Sequence, residues 1–358
     1  MQRFAGILLA LGFAIAPAGA AAHEGRIVGG QKADWHQFPY YASIDDGLCS
    51  GSLIAPDRVL TAAHCLDNVA VGSTVALNGG DEVRKVVHLA QNPKLTKLTK
   101  GAIEFPPTPY DSAVLSLDQP VTDVTPLPLA TPQDAATVYP PGTVVTTMGK
   151  GSSSFSGDGD GPFRTAQVQV RDDNDCAAMI KKEHSDLWSA AGMLCTTDPD
   201  ATKPFASACY GDSGSPLVAG KPDGTLLEIG LDSWGVKCGE DNGGPEEYTD
   251  VGQISSFALD PAIAWRPEYI GGMKLTGKPR VGRTLRCSAP KYNAPQPPGV
   301  ERGFAYSHAD GLYGYFYIKG KTLKLTSKYR GRNVACYSYA LNKGGPVLDF
   351  STRRITVR

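Results

Sequence analysis

Three short segments hold side chains that together could cleave an acyl bond. His64 follows an apolar strand and stands beside Cys65, Asp111 opens the apolar run 113–117, and Ser213 lies in the segment Gly211-Asp212-Ser213-Gly214-Ser215-Pro216. A serine hydroxyl is a poor nucleophile at neutral pH and needs a base such as histidine to take its proton. The histidine in turn needs a carboxylate to fix its tautomer and stabilise the imidazolium. Gly211 leaves the backbone open, so the N–H groups of Gly211 and Ser213 can face a developing oxyanion, where one donor is worth ~3 kcal/mol. Singly, such residues have ordinary explanations. His36, His88, His184 and His308 read as isolated surface or core histidines, and an aspartate before a strand is commonly a turn residue. The order His, Asp, Ser, preceded by Arg26-Ile27-Val28-Gly29-Gly30, joins them into one reading.

These groups need rigid elements to hold them. From residue 26 to about 251 the chain is a series of short apolar runs (51–55, 58–63, 113–117, 143–148) broken by Gly, Pro and Asn. That spacing predicts an all-β barrel or sandwich. Residues 151–161 (GSSSFSGDGDG) read as a flexible loop. Between 254 and 265 the period turns helical, with Ile254, Phe257, Ala258 and Ala262 on one face and Pro267 as the stop. Beyond Gly271-Gly272, alternating runs at 283–287, 303–306, 314–318 and 334–339 predict a second β region with a turn at 342–345.

Composition bounds the class. The chain has 358 residues, enough for two or three domains, and a formal net charge of −1. The total argues against a basic nucleic-acid binder, yet it is a cancellation. Residues 27–265 carry 15 Lys+Arg against 31 Asp+Glu, whereas 266–358 carry 18 against 4. The N-terminus has the form of an export signal over residues 1–22, with Arg3, an uncharged apolar stretch from Phe4 to Ile15 and a small-residue site at Pro17-Ala18-Gly19-Ala20. The apolar stretch is shorter than the ~20 residues a membrane span requires. An exported chain with eight cysteines favours disulfides, although eight allow 105 pairings. No cysteine or histidine spacing suggests zinc, no acidic cluster at 71–84 matches a calcium loop, and no cofactor is expected.

With His64, Asp111, the Gly-Asp-Ser-Gly segment and the Arg-Ile-Val-Gly-Gly start, the chain resembles the trypsin/chymotrypsin family of serine proteases over about residues 26–265. The resemblance implies two six-stranded antiparallel barrels with the active site between them, in a protease domain at 27–265 after a propeptide at 23–26. His64 and Asp111 would come from the first barrel and Ser213 from the second. It implies the pairs Cys49–Cys65, Cys176–Cys195 and Cys209–Cys238, leaving Cys287 and Cys336 for the tail. It also implies activation by cleavage after Arg26, which frees an Ile27 amine to pair with Asp212. The substrate segment would be Ser233-Trp234-Gly235, with Ser207 at the pocket base, six residues before Ser213, where trypsins place Asp to bind Lys or Arg and Ser is the chymotrypsin-like choice for a large apolar side chain. Two positions depart from the family pattern. Glu246 stands where a wall glycine is usual, and would either fill the pocket or offer a carboxylate to a basic side chain, unless the extra residue between Cys238 and Tyr248 shifts the register and leaves it an exposed loop residue. Lys150 stands where Gly-Trp-Gly is common.

The region 266–358, a linker followed by a basic module, resembles bacterial immunoglobulin-like β-sandwiches of extracellular proteins, with Cys287 and Cys336 placed for an inter-sheet bridge. Its positive surplus suits an anionic envelope polymer, phospholipid headgroups or extracellular nucleic acid, or else the acidic protease of its own chain; no specific nucleic acid is expected. The whole reads as a secreted, extracellular bacterial serine endopeptidase acting on proteins or peptides through an acyl-enzyme. Its alternatives are a catalytically silent protease-fold binding protein and an adhesin acting through the basic tail.

Overall fold

The computed structural model describes residues 27–95, 98–99, 102–103, 109–151, 162–184, 188–200, 205–235, 238, 245–293, 299–307 and 315–358. The signal and propeptide readings, Arg26, His308 and nearly all of the loop at 151–161 lie outside these residues.

Six strands form the first barrel: β1 (Tyr41–Ile44), β2 (Cys49–Ala55), β3 (Arg58–Thr61), β4 (Thr74–Leu77), β5 (Glu82–Gln91) and β6 (Ala113–Leu117). They close antiparallel in the order β1-β2-β3-β6-β5-β4. The apolar runs read from the sequence are these strands, because Leu53, Val59, Val75, Leu77, Val86 and Leu115 all turn into one core. The second barrel is built from β7 (Val144–Gly149), β8 (Arg164–Val170), β9 (Met193–Thr197), β10 (Pro216–Gly220), β11 (Leu226–Gly235) and β12 (Glu246–Asp250). Its order is β8-β7-β10-β11-β12-β9, and a β8–β9 pairing closes it. Val145, Val168, Leu217, Ile229 and Tyr248 fill its centre. The chain is therefore all-β, with two six-stranded antiparallel barrels.

Helix α1 (Asp173–His184) lies before β9, and α2 (Val251–Ala258) follows β12. Asp250 caps α2 by accepting from Gly252 N–H at 3.0 Å. The helix starts three residues before the expected 254 and ends at Ala258, not near Trp265. Pro261 explains the early stop, since it lacks an N–H and disfavours helical geometry at Asp260; the Asp260 carboxylate instead accepts from Ala262 N–H at 2.8 Å. Ile254 and Ala258 still reach Leu60, Val114 and Leu231, so α2 closes the seam where the barrels meet.

The C-terminal region adds three sheets. The strands are β13 (Glu268–Gly271), β14 (Leu275–Thr276), β15 (Thr284–Cys287), β16 (Lys291–Asn293), β17 (Gly299–Ser307), β18 (Tyr315–Lys319), β19 (Thr322–Lys324), β20 (Asn333–Asn342), β21 (Gly345–Phe350) and β22 (Ile355–Thr356). One sheet is β14-β15-β19, another is β18-β17-β20-β21 with β22 on β20, and β13 pairs with β16. Leu275, Leu285 and Leu323 from the first share a core with Phe304 and Val334 from the second, and a Cys287–Cys336 disulfide links the two sheets. The other bridges are Cys49–Cys65, Cys176–Cys195 and Cys209–Cys238. No helix among the described residues is long and apolar enough to cross a membrane.

Candidate active site

His64 sits on a short turn of 3₁₀ helix, Ala63–Asp67, between β3 and β4. Asp111 lies just ahead of β6 and Ser213 just ahead of β10. The first pair is in direct contact: His64 Nδ1 is 2.7 Å from Asp111 Oδ2, and the His64 backbone N–H donates to Oδ1 at 2.9 Å. Ser233 Oγ also donates to Oδ2 at 2.7 Å, and Thr249 Oγ1 donates to the Asp111 carbonyl at 2.9 Å. Asp111 is 1% exposed, so its charge is screened little and acts on the imidazole at short range. With Nδ1 donating to Asp111, Nε2 is the ring nitrogen that carries the lone pair. Burial works against the imidazolium, but the Asp111 charge and hydrogen bond outweigh it and hold His64 above its ordinary value.

The second barrel brings Ser213 to this pair through backbone bonds. The Ser213 carbonyl accepts from Ser50 N–H at 2.8 Å and lies 3.7 Å from Cys65 Sγ, next in the chain to His64. Gly214 N–H donates to the Asp232 carbonyl at 2.8 Å. Gly211 has φ +93°, a conformation open to glycine, and its carbonyl is held by Ser50 Oγ at 2.9 Å. No motif in the sequence marks Ser50, Thr249 or Asp232. Ser50 and Thr249 reach the site across the two barrels, and Asp232 reaches Gly214 within the second.

Asp212 is fully buried. Its carboxylate accepts from Gly151 N–H at 2.7 Å and Cys209 N–H at 2.9 Å. A Cβ on Gly149 would lie 1.9 Å from Asp212 Oδ1, so the glycine of the Gly149-Lys150-Gly151 segment makes room for this carboxylate. Ile27 is 1% exposed, and Val28 exchanges two backbone hydrogen bonds with Ser207, at 2.9 and 3.1 Å.

Ser207, Ser233, Trp234 and Glu246 are all buried, with Gly235 at the edge. Ser207 Oγ donates to Glu246 Oε2 at 2.6 Å. The Glu246 carboxyl lies against Gly235, where an added Cβ would come within 2.2 Å of Oε2. Glu246 is thus an interior residue. Its register opposite Gly235 on β11 directs it there. Burial raises the Glu246 pKa, and Asp232 is raised by burial and then by the charges of Glu246 and Asp212. Among the described residues no His, Cys, Asp and Glu cluster could hold a metal ion.

Comparison with known proteins agrees with this architecture. The family model described as Trypsin matches residues 27–258. The chain is 32% identical to a trypsin of Saccharopolyspora erythraea over 245 residues, covering 65% of this chain and 97% of that protein. It is 33% identical to trypsin theta of Drosophila melanogaster, covering 66% and 86% respectively. It is also 28% identical to the Suppressor of tumorigenicity 14 protein homolog of Bos taurus, of which it spans 27%. With two such barrels and a match over residues 27–258, the chain belongs to the trypsin family and is a serine endopeptidase.

Proposed function

We propose that the chain is a secreted, zymogen-derived endopeptidase of bacterial type that cleaves proteins or peptides through an acyl-enzyme. In this reading Ser213 attacks the scissile carbonyl, and His64 takes its proton and returns it to the leaving amine. Asp111 orients the imidazole, and the Gly211 and Ser213 amides hold the oxyanion. The observation that carries it is the 2.7 Å contact between His64 Nδ1 and a buried Asp111 that Ser233 and Thr249 of the second barrel also hold. Covalent labelling by a serine-directed phosphonate tests it. Wild type is labelled and Ser213→Ala is not; no labelling of activated wild type refutes it and favours a silent scaffold.

Cleavage after Arg26 is the proposed activation step. The buried Ile27, the Val28–Ser207 pairing and the Asp212 carboxylate beside Gly149 and Gly151 support it. At the primary pocket we assign a basic preference to Glu246, whose carboxyl bonds Ser207 at the base. With its pKa raised, Glu246 holds its proton near neutral pH when the pocket is empty, and a bound Lys or Arg cation lowers that pKa, so that the proton leaves to solvent and an ion pair forms. A peptide-library profile of Glu246→Gly checks the assignment. Selective loss of cleavage after Lys and Arg supports it, and an unchanged profile removes Glu246 from specificity.

For the tail, the shared core of two sheets crossed by Cys287–Cys336 supports an immunoglobulin-like sandwich. Arg283, Arg286, Lys321, Lys324, Lys328 and Arg330 are all exposed, so these charges are not consumed by the protease domain. That exposure favours an anionic envelope polymer over an intramolecular role, and predicts binding that falls steeply across a salt series.

A further inference from the structure

The C-terminal module reaches the active site from behind. Its first residue, Arg266, donates its backbone N–H to the Leu89 carbonyl at 2.7 Å, next to the end of β5. One residue beyond β5's Leu89-Ala90 pair, Gln91 N–H donates to the Gly344 carbonyl at 2.9 Å. Asn342 Nδ2 donates to the Trp265 carbonyl at 3.0 Å, and Trp265 stacks on His88 of β5 with ring centres 5.5 Å apart. A Cβ on Gly344 would lie 2.2 Å from the Trp265 carbonyl carbon, so the β20–β21 turn rests directly on the 265–266 peptide. The module is thereby fixed to the barrel by main-chain bonds on both sides of Arg266.

The Arg266 side chain then points at the histidine turn. Its two terminal nitrogens lie 3.4 Å from the carbonyls of Leu66 and Val69. These carbonyls bracket Asp67-Asn68, where the turn carrying His64 ends, and the N–H groups of Asn68 and Val69 close that turn on the Cys65 carbonyl. Among the described residues Arg266 has no carboxylate within ion-pair distance; its guanidinium hydrogen-bonds the turn's carbonyls while the Asp349 and Asp67 charges act on it from farther off. Desolvation raises Asp67, while the charges of His64 and Arg266 oppose that rise. Asp67 in turn favours the imidazolium of His64.

We propose that Arg266 is a positioning residue for catalysis: the docked C-terminal module uses it to clamp the turn that carries His64, with Asp67 between them, so that full turnover requires the module in place. This rests on His64 acting as the base. A mis-set base costs turnover and not substrate binding, because the primary pocket is built from β11, β12 and the segment before Ser213, all in the other barrel. The charged groups facing His64 are Asp111 ahead of β6 and Asp67 on its own turn, with Arg266 and Asp349 of the module standing behind Asp67.

The test uses the activated full chain, with active sites counted by phosphonate titration. Arg266→Ala is expected to lower kcat per titrated site on the order of tenfold with KM unchanged, and Arg266→Lys to recover part of the loss. Asp67→Asn is expected to move the acidic limb of kcat/KM to lower pH, since a charge favouring the imidazolium is gone. Wild-type kcat per titrated site in Arg266→Ala overturns the proposal, as does a loss confined to KM or to the number of titratable sites. Should Arg266→Ala not fold, Arg266→Lys with wild-type kcat together with an unmoved limb in Asp67→Asn overturns it. Failure of wild type to titrate at all refutes instead the triad on which the proposal rests.

Discussion

Replacing Glu228 by Gln should flatten the alkaline loss of stability of this protein. Glu228 lies on β11 in the second barrel, is fully buried, and accepts from Ser52 Oγ of the first barrel at 2.5 Å. Its other carboxyl oxygen has no hydrogen-bond partner. Burial pushes its pKa up to about 8 from an ordinary 4.5, outweighing the Ser52 bond. The folded state therefore binds a proton that the unfolded chain has released between these values, and stability falls as pH rises through that window. At ~1.4 kcal/mol per unit, the loss relative to pH 5 is about 2.5 kcal/mol at pH 7 and about 4 kcal/mol at pH 9. Glutamine keeps the acceptor for Ser52 and leaves one unmatched polar atom, as the protonated acid does, so the two proteins should be close in stability near pH 5. Urea unfolding of Glu228→Gln and its parent, both carrying Ser213→Ala to prevent self-cleavage, reads the difference directly. Glu246, Glu247 and Asp232 are also buried acids, but they are present in both chains and cancel. Parallel stability curves from pH 5 to 9 would refute the reasoning.

Three further outcomes follow from the geometry. Acylation should fail as pH drops through the raised His64 pKa, and Asp111→Asn should both lower kcat by ~10⁴ and move that limb down, as a pH series of single turnovers would show. Gly149→Ala should abolish activity while retaining the β-rich circular dichroism spectrum, because its Cβ would displace Asp212 and with it the turn that presents Ser213. Removing the Cys287–Cys336 bridge, which spans 49 residues, should cost about 4 kcal/mol by loop entropy, measured as a lowered unfolding midpoint of the full chain.

The strands of both barrels were legible because their apolar runs alternate with turn residues, and runs such as 113–117 coincide with observed strands. His64, Asp111 and Ser213 were legible as a group because each sits in a distinctive local segment. Ser50, Thr249 and Asp232 were not, since nothing near them in sequence marks contacts that arise only when the two barrels meet, or, for Asp232, when the strands of the second barrel pair. Glu246 could be read as a departure from a pattern, but whether its carboxyl lay inside was decided by the β11–β12 register, which places it opposite Gly235. The helix after β12 was placed by period alone, and Pro261 within that pattern is what shortened it. The charge division between the two regions was visible from composition. The docking of the basic module onto β5 was not, because it uses backbone atoms that every residue carries.

That backbone seam also bears on how such chains can be assembled. A joint made by main-chain atoms of Leu89, Gln91, Arg266 and Gly344 asks little of the host's side chains beyond a strand edge and the His88 ring on which Trp265 stacks, while the module itself needs a glycine at 344. A similar module could be grafted onto another barrel of this shape by transplanting the stretch from Trp265 onward, provided the host carries a ring at the position of His88. The same economy makes the attachment tolerant of drift, so that host and appendage can diverge in charge while their junction stays intact.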